Sequence, residues 1–315
     1  MAIARFAVAR AAVRVLRTIL LLVALAVCGV ADSVCQELEP RSYAPAPVGA
    51  NFVGVAYAYS TGDIVFDAAL PVDDVTARVH GILLAYGRTF GVFGRQATAS
   101  GALPYAFGDV AGTVYEQAKK VERSGLADFR GRIAVNLYGT PALALKDFAQ
   151  RRRTPFILGT SLTVSAPVGE YYGDKLINLG TNRWAFKPEL GVSVPWRKLD
   201  FDTYCGVWFF TNNTDFFPAQ KTRRQDPLSA VQGHVTYTFR PTLWFAVDGT
   251  WYGGGASTVD GGPPSARVDN SRYGGTLSLP VTKSQSLKLA YSRGAIVRAG
   301  SDFSVYLAAW QLRWF

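Results

Sequence analysis

A hydrolytic or metal site needs histidine beside a thiolate, a carboxylate or a hydroxyl held in place. The chain offers two histidines, His80 and His234. His234 alternates in step with Gln232, Thr236 and Thr238, so it shares a polar face with them. Ser229 or Ser278 would be its partners in a barrel-type lipid hydrolase, but no nucleophile elbow surrounds either serine. The glycine runs Gly253 to Gly255 and Gly261 to Pro264 follow a strand pattern and open no helix, so they form no phosphate cradle. No catalytic residue, metal or cofactor is expected. The residues with a shared pattern are mostly charged: Arg130, Arg132, Asn136, Arg183, Lys187, Glu189, Asp200, Asp202, His234, Arg240, Asp248, Arg272 and Lys288. Each falls on the polar side of an alternating segment.

Those segments are the elements that must position them. Trp184, Phe186, Leu190, Val192 and Val194 face one way, while Arg183, Lys187, Glu189 and Ser193 face the other. Phe129 to Leu137 and Phe156 to Val164 repeat the pattern. Successive strand side chains point to opposite faces, so a period of two gives one apolar and one small or polar face. The periodicity predicts twelve strands near 50–61, 76–88, 92–107, 126–138, 154–167, 182–195, 199–212, 228–240, 242–254, 271–282, 285–297 and 303–315. These are long enough for tilted strands to cross a bilayer. Tight connections at Thr89-Phe90-Gly91, Trp196 to Lys198, Pro241 and Lys283-Ser284 alternate with long polar ones, and 139–153 reads as a turn with a short helix. The stretch 108–125 reads as an extension of the neighbouring hairpin. Short turns at one end and long loops at the other, with an even strand count, describe an outer-membrane barrel. The predicted fold is an all-β, antiparallel, up-and-down transmembrane barrel over residues 50–315.

In that setting the thirteen polar positions should face the lumen, because a charge facing lipid at mid-bilayer costs about 2–4 kcal/mol. They either pair and fill the interior or ring a water-filled path and set its selectivity. Twelve strands fall between the eight that side chains just fill and the sixteen of an aqueous pore. Trp184, Phe186, Trp196, Trp244, Trp251, Tyr252, Trp310 and Trp314 near strand ends read as interfacial girdles. The terminal Phe315 reads as a signal for barrel-insertion machinery.

The N-terminus carries Arg5, Arg10, Arg14 and Arg17 without an acid, then the apolar run Ile19 to Val30, then Gly29-Val30-Ala31. This describes a signal peptide over residues 1–31. Its loss takes the formal charge from +10 to +6, since four arginines leave. Residues 32–49 are rich in Pro and Ala, show no periodicity, and read as a flexible periplasmic tail. An exported chain with no basic face interleaved with aromatics is not a nucleic-acid binder. Its expected partners are outer-membrane lipid, lipopolysaccharide, the insertion machinery and a small solute.

Several segments also resemble the family named for the MetA pathway of phenol degradation. They are Asn178 to Trp184 (NLGTNRW), Lys187 to Ser193 (KPELGVS), Gly206 to Asn213 (GVWFFTNN), Gln225-Asp226-Pro227 and Asn270 to Pro280 (NSRYGGTLSLP). The resemblance covers about residues 50–315 and implies an outer-membrane barrel that acts as a transporter. It carries over no catalytic residue. The expectation is passive passage of a small solute, aromatic or anionic. A closed structural or adhesive barrel is the alternative, and a lipid hydrolase a third reading.

Overall fold

The computed structural model describes residues 39–65, 72–114, 117–175, 177–218, 220–298 and 300–315. The expected signal peptide and the tail before Glu39 lie outside them. In chain order the strands are β1 (Asn51–Val65), β2 (Val72–Val92), β3 (Arg95–Val114), β4 (Gln117–Leu126), β5 (Phe129–Tyr138), β6 (Ile157–Ala166), β7 (Ala185–Trp196) and β8 (Leu199–Phe210). They continue with β9 (Asn213–Phe216), β10 (Lys221–Gln225), β11 (Leu228–Arg240), β12 (Leu243–Gly254), β13 (Ser257–Val259), β14 (Val268–Pro280), β15 (Gln285–Ile296) and β16 (Gly300–Trp314). One helix, α1 (Leu145–Ala149), lies in the connection from β5 to β6.

Twelve of these strands close a single antiparallel barrel. The order runs β2, β1, β16, β15, β14, β12, β11, β8, β7, β6, β5, β3, and β3 pairs back onto β2. The seam joins the first strand to the last, with Asn51 opposite Trp314 and Val65 opposite Gly300. Closure leaves no free edge in the wall, and every backbone group within lipid then has a partner. The thirteenth member of the sheet, β4, continues the line of β5 past Ala127 and Asp128 and pairs with the far half of β3. The stretch 108–125 therefore does extend the hairpin. At the same end β9, β10 and β13 form a separate three-stranded sheet from the loops after β8 and β12.

The pleat sorts side chains as the period of two requires. Along β7, Ala185, Lys187, Glu189, Gly191 and Ser193 are buried, whereas Leu190 is 57% exposed and Val194 42%. The outer wall of β1, β2 and β16 is apolar or aromatic over Val53 to Tyr59, Ile82 to Tyr86 and Tyr306 to Trp314 on the outward parity. This belt, turned away from the interior, is what lipid solvates.

Three expectations need correction. The turn between β2 and β3 lies at Phe93-Gly94, not Thr89-Phe90-Gly91. Both of its residues have positive φ, 48° and 71°, as two-residue hairpin turns of the primed type demand. Trp244 and Tyr252 have inward parity and do not belong to a girdle; the Arg41 guanidinium lies 5.7 Å from the Trp244 ring centroid. Residues 39–50 are not a free tail, for they run inside the barrel at its short-turn end.

Candidate lumen site

The N-terminal segment is held by its own backbone. A buried N–H without a partner costs free energy comparable to a lost hydrogen bond, and here Pro40, Pro45 and Pro47 carry none. Arg41 N–H donates to Asp202 Oδ2 (3.2 Å) and Ser42 N–H to the Tyr204 hydroxyl (3.1 Å). Ala46 N–H donates to Gln96 Oε1 (2.8 Å), Val48 N–H to Leu143 O (2.8 Å) and Ala50 N–H to Thr89 Oγ1 (3.0 Å). In return Asn136 Nδ2 donates to Tyr43 O (3.1 Å).

Tyr43 is the anchor. Its side chain is 1% exposed and sits edge-on to Tyr204, with ring centroids 5.2 Å apart. It lies against Gly159 of β6 and Gly191 of β7, where a Cβ at either position would stand inside its ring. The Tyr43 hydroxyl lies 3.0 Å from Glu189 Oε1 and 3.1 Å from Ser161 Oγ. Burial, reinforced by the Glu189 carboxylate, pushes the phenol up to about 12, so it remains a donor through the physiological range.

Around this anchor each carboxylate on the wall is already engaged. Lys187 Nζ reaches Glu189 Oε2 at 2.8 Å and Arg132 Nη2 reaches Glu189 Oε1 at 3.5 Å. Asp200 meets Arg153 at 3.1 Å and Arg41 at 4.0 Å. On β8, β11 and β12 the register sets Asp202 opposite His234 and His234 opposite Asp248. His234 Nδ1 lies 2.7 Å from Asp248 Oδ1, and Thr276 donates to Asp248 Oδ2 at 2.8 Å. His234 Nε2 is buried without a hydrogen-bond partner among the described residues. Ser278 instead donates to Thr242 O, and Ser229 has outward parity, so neither serine meets the imidazole.

Nearer the loops the wall changes character. Trp208 of β8 turns inward, with the Arg130 guanidinium 5.7 Å and Lys187 Nζ 5.5 Å from its ring centroid. The Arg183 guanidinium stands 4.3 Å from the Phe210 centroid, and the two rings stack at 6.5 Å. On the same face the register places the small residues Thr163, Ser165 and Ala185. Across the barrel, Arg272 donates to Phe303 O at 2.6 Å, and Lys288 shares the inward face of Ser278.

Twelve of the thirteen residues singled out from the sequence face the interior, and one does not. Arg240 follows a register shift after Thr238 and pairs with Leu243 of outward parity, so it stands exposed at the short-turn rim. The sequence reading missed Arg41, Tyr43, Gln96 and Tyr204, which hold the segment, and Trp208 and Phe210, which carry the cations. Trp208 and Phe210 were legible: they alternate in step with Asp200 and Asp202.

The family described as "Putative MetA-pathway of phenol degradation" matches residues 54–308, nearly all of the barrel. The chain belongs to this family. No curated protein matches it in sequence. Among solved structures, an outer membrane channel from Pseudomonas putida F1 is similar with a TM-score of 0.73 at 21% identity, over 88% of this chain and all of that one. The transport unit of the autotransporter AIDA-I from Escherichia coli is similar with a TM-score of 0.50 at 8% identity, over 91% of this chain and 96% of that one. At these identities the likeness is one of fold: a transmembrane β-barrel.

Proposed function

We propose that this member of the family is an outer-membrane channel for passive passage of small solutes, with anions preferred over cations and aromatic acids the best-fitting class. The orientation that goes with it puts the short turns and both termini in the periplasm and the long loops outside. Residues 1–31 would be the export signal, removed on the way. The observation that carries the reading is the imbalance of the lumen. Its four wall carboxylates, Glu189, Asp200, Asp202 and Asp248, each have a partner. The inward cations outnumber them: Lys187 and Arg132 clasp Glu189, Arg130 and Arg183 lie against aromatic faces, and Arg272 and Lys288 add to the same sign. A surplus of one charge inside a low-dielectric wall focuses a strong field. An aromatic ring can stack beside Trp208 or Phe210 while its carboxylate meets a guanidinium.

Reversal potentials in planar bilayers under a salt gradient test this: anion preference is expected, and cation preference removes the proposal. A second reading, a closed structural barrel, draws support from residues 40–50, which occupy the short-turn half of the lumen. It predicts no conductance in the same experiment. A hydrolase is disfavoured by the geometry at His234, where no hydroxyl among the described residues bonds to Nε2.

A further inference from the structure

The two ends of the barrel differ in how their charges are treated. At the loop end acids accompany the cations and some pair: Lys221 meets Asp260 at 2.6 Å, Arg298 meets Asp269 at 2.9 Å and Lys120 meets Glu122 at 2.7 Å. The five connections at the other end hold seven basic residues against one acid, Asp147. Strand ends add Arg95, Arg240 and Arg313 to them. Of all these cations only Arg153 forms an ion pair among the described residues, and it turns inward to Asp200.

Two features bear on what this rim meets. The cations are distributed around the whole circumference, with at least one in or beside each of the five connections. A partner protein docks on one side, whereas a ring of charge suits something that surrounds the barrel. Some of them also sit at a defined depth. The Arg197 guanidinium lies 5.5 Å from the centroid of Trp196, and Arg313 lies 5.9 Å from that of Phe315. Both rings are more than half exposed, and Trp196 stands on the outer wall in step with Leu190, Val192 and Val194. Aromatic rings in this position mark the membrane–water interface, and long cationic side chains beside them reach the headgroups.

We infer that the short-turn rim is a binding collar for anionic phospholipid headgroups of the inner leaflet. Arg197, Lys198 and Lys283 would take the phosphates while Trp196 meets the acyl chains. The inference goes beyond passage of solute and rests on the orientation proposed above. That orientation has its own test, because an impermeant amine reagent should reach Lys283 only after cells are permeabilised. Each cation near an anionic surface contributes about 1 kcal/mol, or roughly fivefold in occupancy.

Native mass spectrometry of the folded full barrel, with equal phosphatidylglycerol and phosphatidylethanolamine, reads the preference directly. Retention of phosphatidylglycerol by about fivefold or more is expected; equal retention overturns the inference. The combined R197Q, K198Q and K283Q variant should lose the preference while keeping its heat-modifiable, folded form. A folded variant with the preference unchanged also overturns it. Should that variant fail to fold, raised salt on the unaltered barrel serves instead, because a charge-based preference must shrink as ions screen it. Crosslinking from position 283 to an acidic periplasmic protein, without lipid preference, would reassign the collar to a protein partner.

Discussion

The two halves of the lumen use the same residue types for opposite ends. In the short-turn half, each carboxylate is held on the spot: Glu189 is clasped by Lys187 and Arg132, Asp248 by His234 and Thr276, and Asp202 by the backbone of Arg41. In the loop-side half, Arg130 and Arg183 lie on the faces of Trp208 and Phe210. A ring face weakly stabilises a cation without cancelling its charge. The difference shows that counting charges along the polar parity does not describe a lumen. What a charge does depends on whether its neighbour is a carboxylate or a ring.

The largest effect expected from breaking this contrast is on the plug. Deleting residues 40–49, the segment that plugs the short-turn half, should raise single-channel conductance several-fold, because that half then opens onto the loop-side half. Unchanged conductance would show that the segment does not narrow the path. Replacing Gly191 with leucine should do the same without shortening the chain, since Tyr43 and the new side chain cannot share the space.

Next in size is Glu189→Ala. It leaves Lys187 and Arg132 buried without their carboxylate, a loss of about 3–5 kcal/mol by precedent for broken buried pairs. Unfolding in denaturant from detergent micelles measures it. A loss under 1 kcal/mol would mean water reaches these groups freely. A smaller change should follow Arg183→Glu: the reversal potential shifts toward cations, because the side chain beside Phe210 and Gln225 reverses its sign. An unmoved reversal potential would take Arg183 off the path.

The smallest effect is a pH dependence at the plug. The Tyr43 phenol is raised from 10.0 to about 12 in the folded chain. A raised acid of this kind contributes stability in full below about pH 10, and the contribution fades as pH climbs through about 12. Conductance of the unaltered barrel should therefore rise only in that alkaline window. Tyr43→Phe should abolish the dependence, and a rise at neutral pH would assign the effect to another group.

How much of this the sequence disclosed depends on which forces leave a periodic trace. Strands that separate lipid from lumen must alternate, so the faces of β7 could be assigned as far as Val194, although Trp196 was read as part of the turn. The hairpin at Phe93-Gly94 was misplaced because Gly91 looked like the punctuation, whereas the turn needs positive φ at two adjacent residues and Phe93 supplies one of them. Arg240 was misassigned because parity counting assumes an unbroken ladder, and the register shifts after Thr238. The plug was invisible for a different reason. Its backbone partners are side chains from distant strands, Gln96, Asp202 and Tyr204, and such contacts impose no repeat on the segment itself.

Residue 50 runs straight into β1 at Asn51, with Ala50 and Gly49 both bonded to Thr89. The plug is thus a ligand tethered to its own receptor with almost no linker. Short tethers give effective concentrations on the order of millimolar. Any excursion from the lumen is then brief, and its frequency does not depend on how much protein is present. A free peptide of the same sequence would have to reach a comparable concentration before it could compete for the seat of Tyr43. Blocking by such a peptide belongs to the barrel lacking residues 40–49, where the seat stands vacant.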